Sequence, residues 1–155
     1  MPIKGKIYIG SDNAGFELKN EIIKYLKDKG YDVVDIGPFA YDKADDYPDY
    51  AVKLCNNVLK DKAKGILVCS TGAGTAMVSN KIRGIYAANC WSVESARLAK
   101  VHQNINVLCL GASLIDEKVA KDVVETWLTE PETKEERHIR RLQKIKKIDE
   151  DVRGV

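Results

Sequence analysis

The chain has little of what marks a secreted, membrane-spanning or metal-structured protein. Its four cysteines, Cys55, Cys69, Cys90 and Cys109, have no CxxC spacing, and three lie in or at the ends of apolar segments. Neither a disulfide framework nor a zinc site is indicated. No apolar run approaches the length that spans a bilayer, and the opening MPIKGKIYIG reads as a short apolar strand rather than the apolar stretch of a signal peptide. Charge of one sign is also lacking: 25 Lys and Arg stand against 23 Asp and Glu, a formal net charge of +2, which calls for no nucleic acid or other polyanion and no anionic membrane. The expected compartment is the cytoplasm. There is no internal repeat, low-complexity tract or Pro/Gly-rich linker, so residues 1–155 are read as one domain.

What is there is ordinary globular material, 45% apolar and 31% charged, organised as strand and helix in regular alternation. Lys6 to Gly10 reads as the first strand. The helix after it, from about Gly15, repeats Leu18, Ile22 and Leu26 at helical spacing and stops at Gly30. Tyr31 to Ile36 is the second strand, Gly37 to Tyr47 a polar loop, and a helix from near Pro48 carries Val52, Cys55 and Leu59. Gly65 to Cys69 is the central strand, Ile85 to Asn89 and Asn106 to Leu110 the last two, with helices over Val93 to Val101 and Glu117 to Thr129. Short connections between such units favour right-handed crossovers. The expected fold is therefore a three-layer α/β/α, Rossmann-like open parallel sheet of about five strands, with an extra C-terminal helix over residues 133–150.

The stretch GILVCSTGAGTAM, Gly65 to Met77, carries the most chemistry. An apolar strand ends at a thiol, Cys69, on the usual ligand side of an open α/β sheet, and Gly72, Ala73 and Gly74 then turn backbone N–H groups toward one point at a helix start. A thiol ending a strand is also common core, and a GxG alone is weak. Asp12, directly after the first strand, lies on the same edge and serves either a ligand or the cap of the next helix. In the C-terminal helix, ERHIRR places Arg137 and Arg141 one turn apart with His138 beside them, a pair that suits phosphate or simply a solvated basic face. Ile139, Leu142 and Ile145 form a narrow apolar stripe that another subunit could cover. Only two histidines exist. His102 falls at the end of a helix just before the last strand, on the sheet edge opposite Cys69, so it reaches the thiol's substrate only if a neighbouring subunit delivers it.

These fragments together resemble the type B ribose-5-phosphate isomerases, in the wider family that includes the galactose-6-phosphate isomerase subunits. GSDNAGFELK is similar to the family's GxDHxGxxLK opening, DDYPDYA to its DYPDYA, CSTGAGTAMVSNKIRGI to its CGTGxGxSxAANKxxGI, HQNINVLCLG to its HNDANVLxLG, and ERHIRR to its GRHxxR. The matches run in family order from about Lys6 to Ile148. The resemblance implies that Cys69 is the base that moves a proton between C2 and C1 of an opened aldose phosphate through a cis-enediol. It implies that Thr71 assists, and that Gly72, Ala73 and Gly74 hold the enediolate oxygen. His102 aligns with the ring-opening acid, delivered by the partner in a homodimer or dimer of dimers. Asp12 would bind sugar hydroxyls, Tyr47 would line the pocket, and Arg137 and Arg141 would hold the phosphate. No cofactor or metal is implied. Asn13, Ser70 and Gln103 are carried over as further substrate-binding positions, although Asn13 stands where the family has His, Ser70 where it has Gly and Gln103 where it has Asn; with Ser113 where a further phosphate-binding Arg is common, phosphate affinity or sugar length is expected to differ. Allose 6-phosphate and galactose 6-phosphate remain alternatives to ribose 5-phosphate. Two readings of other classes are a flavin-binding electron carrier and a non-catalytic sugar-phosphate sensor. A flavodoxin-like phosphate loop would follow the first strand rather than the third, and a receiver module would end its central strand in Asp rather than Cys69.

Overall fold

Short apolar strands joined by amphipathic helices can bury both faces of a sheet only in parallel array, and that is the arrangement observed. A computed structural model describes residues 4–153; the outermost residues of the expected 1–155 domain lie outside the described residues. The elements are β1 (Lys4–Ser11), α1 (Phe16–Asp28), β2 (Tyr31–Asp35), α2 (Tyr47–Asp61), β3 (Lys64–Cys69), α3 (Ala73–Ser79), β4 (Ala87–Asn89), α4 (Val93–Gln103), β5 (Val107–Gly111), α5 (Glu117–Thr129) and α6 (Glu136–Arg153). The sheet order is β2-β1-β3-β5-β4, every pair parallel. The strand order reverses between β1 and β3, and loops at such a switch point diverge to leave a crevice. The register brings Val68 opposite Ser11 and Cys69 opposite Gly111, so the loops after β1, β3 and β5 open on one edge.

Side-chain alternation sorts the core into two layers. Ile66 and Val68 of β3 face one way with Ile7, Ile9, Leu108 and Leu110, against Ile22 and Leu26 of α1 and Val123, Val124 and Trp127 of α5. Leu67 faces the other way with Tyr8, Val107 and Cys109, against Ala51, Leu54, Cys55 and Val58 of α2. The Trp127 indole N–H donates to the Ile105 carbonyl, so its polar atom is satisfied within the core.

Several boundaries and one phase differ from the sequence reading. In α2 the buried residues are Ala51, Leu54, Cys55 and Val58, while Val52 and Leu59 are 43% and 39% exposed. Spacing of i, i+3, i+4 and i+7 makes a face wide enough to cover a sheet, and Val52 and Leu59 flank it. β4 is shorter than expected because the Asn106 side chain takes up the backbone of its leading residues, accepting from Tyr86 N–H and donating to the Gly84 carbonyl. α4 runs on to Gln103, so His102 is inside the helix. α6 begins at Glu136 rather than Thr133, because the Thr133 hydroxyl accepts from Glu135 N–H and forms a turn before it.

α6 lies largely outside the two core layers. Its far end is tied to the loop before β4, where Asp149 accepts from Gly84 N–H and the Glu150 carbonyl accepts from Arg83. Ile139 and Ile145 stay 40% and 42% exposed, and a groove of about 390 Å³ runs between α6 and the end of α4. No helix among the described residues is long and apolar enough to cross a membrane.

Candidate active site

At the end of β1, Asp12 is buried and its carboxylate accepts from the Gly15 N–H at 3.1 Å. This bond closes the turn before α1 rather than capping the helix itself, whose N-cap is Gly15. Burial pushes the Asp12 carboxyl above the ordinary carboxylate range, with the nearby Asp45 charge adding to the effect. A carboxyl raised on folding stabilises the folded state fully below its ordinary range, and that contribution is lost as pH rises from there through the raised value. Asp12→Asn keeps the acceptor and removes the buried charge. It is therefore expected to melt above the unsubstituted protein at neutral pH, with the gap closing near about pH 4; thermal denaturation at the two pH values checks this, and an equal gap at both would contradict it.

Asn13 is bonded to the loop before α2. Its backbone N–H and side-chain amide both donate to Asp45 Oδ1, at 2.9 and 2.8 Å, and the amide also donates to the Lys43 carbonyl. The same loop is anchored from beneath by fully buried Lys19, which donates to both Asp35 carboxylate oxygens at 2.9 Å and to the Pro38 carbonyl at 2.6 Å. These ties place Tyr47, 37% exposed at the start of α2, with its ring against the backbone of Gly74.

Cys69 is 4% exposed at the end of β3, and its Sγ accepts from Gly72 N–H at 3.1 Å. Gly72 has φ of 82°, the left-handed geometry that turns its N–H back toward the strand. Thr75, which the sequence reading missed, puts its hydroxyl 3.6 Å from the sulfur and donates its proton to the Gly72 carbonyl. The other thiols are sorted by burial: Cys55 and Cys109 are pushed up, and Cys90 up to about 11. Among the described residues, only Cys69 combines an edge position with a backbone donor on its sulfur.

The anion cradle is therefore not empty of work. Of the three N–H groups expected there, that of Gly72 faces the thiol and that of Ala73 donates to the Thr71 hydroxyl at 3.3 Å. Ser70 pairs with Ser113, hydroxyl to hydroxyl, at 2.8 Å, and the backbones beside them are joined through Ala112 N–H to Cys69 O and Ser113 N–H to Ser70 O. Two residues that depart from the resembled pattern thus depart together, as one contact across β3 and β5.

His102 is in the last turn of α4, with Gln103 following at the α6 groove. Its ring stacks on that of His138, centroids 4.2 Å apart and planes at 17°. His138 is 5% exposed, with Nε2 3.6 Å from the Glu135 carboxylate. Burial, then the His102 and Arg137 charges, pushes His138 below the usual histidine range. Arg137 forms an exposed ion pair with Glu135 at 2.8 Å, and Arg141 follows one turn on.

The candidate residues thus fall into two groups. Asp12, Asn13, Tyr47 and Ser70 to Gly74 gather with Cys69 at the carboxyl edge, while His102, Gln103, Arg137 and Arg141 gather where α4 meets α6. Val107, which opens β5 after the His102 turn, pairs with Gly65, four residues before Cys69. One strand length, about 13 Å, therefore separates the two edges within a single chain. Among the described residues no three His, Cys, Asp or Glu side chains group as a metal ion would require.

A doubly wound sheet with a backbone-bonded thiol at its ligand edge and a histidine–arginine cluster at the other defines an α/β protein that carries acid–base and cationic side chains on its two edges. The chain belongs to the ribose/galactose isomerase family, whose model matches residues 7–145. It is 42% identical over 141 residues to a probable ribose-5-phosphate isomerase B of Mycoplasma genitalium, covering 90% of this chain and 92% of that one. It is 37% identical over 138 residues to the ribose-5-phosphate isomerase B of Mycolicibacterium paratuberculosis, covering 88% and 87%. The crystal structure of ribose-5-phosphate isomerase B from Mycoplasma genitalium with bound ribulose-5-phosphate superposes with a TM-score of 0.91 at 38% identity, over 96% of this chain and 99% of that one. The ribose 5-phosphate isomerase of Thermotoga maritima does so with a TM-score of 0.87 at 43% identity, over 92% and 98%.

Proposed function

We propose that this chain interconverts ribose 5-phosphate and ribulose 5-phosphate with Cys69 as the base, in a site that two subunits share. The thiolate takes the proton from C2 of the opened aldose, the C–H electron pair becomes the C1=C2 double bond while the carbonyl pair rests on O1 as a cis-enediolate, the proton of the C2 hydroxyl passes to O1, and the same thiol returns the carbon-bound proton to C1 as C2=O forms. The observation that carries this is the hydrogen bond from Gly72 N–H to Cys69 Sγ, which aims a backbone donor at the sulfur at the ligand edge of the sheet. Thr71 and the Ala73 and Gly74 backbone line the place where the enediolate oxygen develops. Asp12 binds sugar hydroxyls and Tyr47 closes the pocket over Gly74.

His102 of the partner subunit protonates the ring oxygen while the anomeric hydroxyl gives up its proton toward the Asp12 carboxylate and the sugar opens, and Arg137 and Arg141 from the same cluster as His102 hold the phosphate. A homodimer, alone or as half of a dimer of dimers, brings that cluster to the thiol. The partly exposed α6 stripe and the one-strand distance between the two groups support this. The reading makes the protein an enzyme of pentose phosphate interconversion in the cytoplasm, with a small sugar phosphate as its partner.

Turnover of the purified protein on ribose 5-phosphate, allose 6-phosphate and galactose 6-phosphate tests it. Ribose 5-phosphate is expected to have the highest kcat/KM, unaffected by EDTA, because thiol, hydroxyl and imidazole supply every proton transfer. Preference for a six-carbon sugar would assign the Ser70–Ser113 contact to substrate length instead, and no turnover on any of the three would overturn the assignment.

A further inference from the structure

The peptide group between Thr71 and Gly72 is gripped at both ends. Its N–H donates to Cys69 Sγ at 3.1 Å, and its carbonyl accepts from Asn89 Nδ2 at 2.9 Å. Asn89 is the last residue of β4, and β5 lies between β4 and β3, so the turn after Cys69 passes over the end of β5 to reach it. Gly111 at that end of β5 leaves the passage open, because a Cβ there would lie 2.5 Å from the Thr71 carbonyl oxygen. Gly72 packs so closely on the Asn89 carboxamide that a Cβ has no room. A carbonyl requires a donor, which fixes the amide with Nδ2 toward Thr71; its Oδ1 is buried and has no hydrogen-bond partner among the described residues.

A donor on the oxygen of an amide polarises it and strengthens its N–H as a donor. Pinning the carbonyl also sets the peptide plane, and with it the direction of the N–H that meets the sulfur. We propose that Asn89 is a positioning residue for the isomerisation, holding the Thr71–Gly72 peptide so that its N–H stabilises the Cys69 thiolate. It acts through that peptide, without touching the substrate. The inference rests on Cys69 being the base.

Asn89→Leu keeps bulk and removes the donor; Asn89→Asp keeps shape and sets a carboxylate against the Thr71 carbonyl. In both variants the pH midpoint for alkylation of Cys69 by iodoacetamide, read by peptide mass spectrometry, is expected to move upward. The rate kcat on ribose 5-phosphate at neutral pH should fall about tenfold, the loss that goes with weakening one hydrogen bond to a charged acceptor, and recover at alkaline pH. KM should stay near that of the unsubstituted enzyme. A purely structural role would lower kcat at every pH and leave the alkylation midpoint in place, and either an unmoved midpoint or an unchanged kcat overturns the inference. Cys69→Ala run beside them separates the two readings: wild-type turnover there would sink the base assignment itself. Should neither Asn89 variant fold, the unsubstituted protein still decides, because the Gly72 amide resonance must shift with the titration of Cys69, and a resonance that does not respond excludes the proposed contact.

Discussion

Cys69→Ala is expected to lower kcat on ribose 5-phosphate by about a thousandfold, in the middle of the range that general acid–base groups contribute. The thiolate is the only group at the carboxyl edge that the proposed mechanism uses to take and return the proton. Thr75 next to it has its proton committed to the Gly72 carbonyl, and Asp12 is tied to Gly15 N–H, so neither is placed to substitute. The fold should survive. The variant loses one sulfur atom at a strand end and leaves the Gly72 N–H without its acceptor, a cost of about 1–2 kcal/mol against the whole domain. Circular dichroism and thermal denaturation establish that the variant is folded, and steady-state kinetics then read the loss. Cys69→Ser should be nearly as slow, because a hydroxyl at neutral pH offers almost no anion. A rate within tenfold of wild type in folded Cys69→Ala would remove the thiol from the mechanism.

Mixing Cys69→Ala subunits with His102→Asn subunits is expected to restore activity that neither variant has alone. If each site takes its thiol from one subunit and its acid from the other, a mixed dimer contains one site with both lesions and one with neither. Random reassortment of equal amounts makes half the dimers mixed, each with one intact site of two, so about a quarter of the wild-type activity should return. If thiol and acid belonged to the same subunit, every site in every dimer would carry one lesion and nothing would return. The geometry favours recovery, because His102 sits before β5 while Cys69 lies opposite the far end of that strand, at Gly111. Refolding the two variants together, against each refolded alone, is the measurement. It also tests the arginines: Arg137→Ala should complement Cys69→Ala as His102→Asn does, since Arg137 lies on α6 beside His138, whose ring stacks on His102.

Much of this architecture is legible in the linear chain because it is written in local periodicity. Ile66 to Val68 read as a strand buried on both faces, and they are fully buried. Leu26 and Ile22 keep their helical spacing in α1, and the glycine turn after Cys69 turns as its composition requires. The placement of His102 on the edge away from Cys69 also follows from the linear chain, because the order of elements around a parallel sheet decides which loops share an edge. The errors were errors of phase and of length. Val52 and Leu59 have the spacing of a buried stripe, but Ala51, Leu54, Cys55 and Val58 have it too, and only the sheet beneath chooses between them.

The contacts that shape the site are of another kind. Asn13 to Asp45 joins residues 32 apart, Ser70 to Ser113 joins residues 43 apart, and Asn89 at the end of β4 joins the Thr71 carbonyl in the turn after β3, 18 residues away. A carboxamide or a hydroxyl in a sequence has no period and no preferred partner, so nothing local announces which carbonyl it will hold.

The sequence by itself determined the class of fold, the sheet edge on which the thiol stands, and the separation of thiol from histidine, because hydrophobic spacing and element order act along the chain. Only the tertiary structure decided that the Gly72 N–H is spent on the sulfur, that Ser70 and Ser113 bond each other, and that His102 stacks on His138. Those outcomes depend on which donors and acceptors meet when strands and helices pack, and burial then makes each such pairing costly to leave unmade.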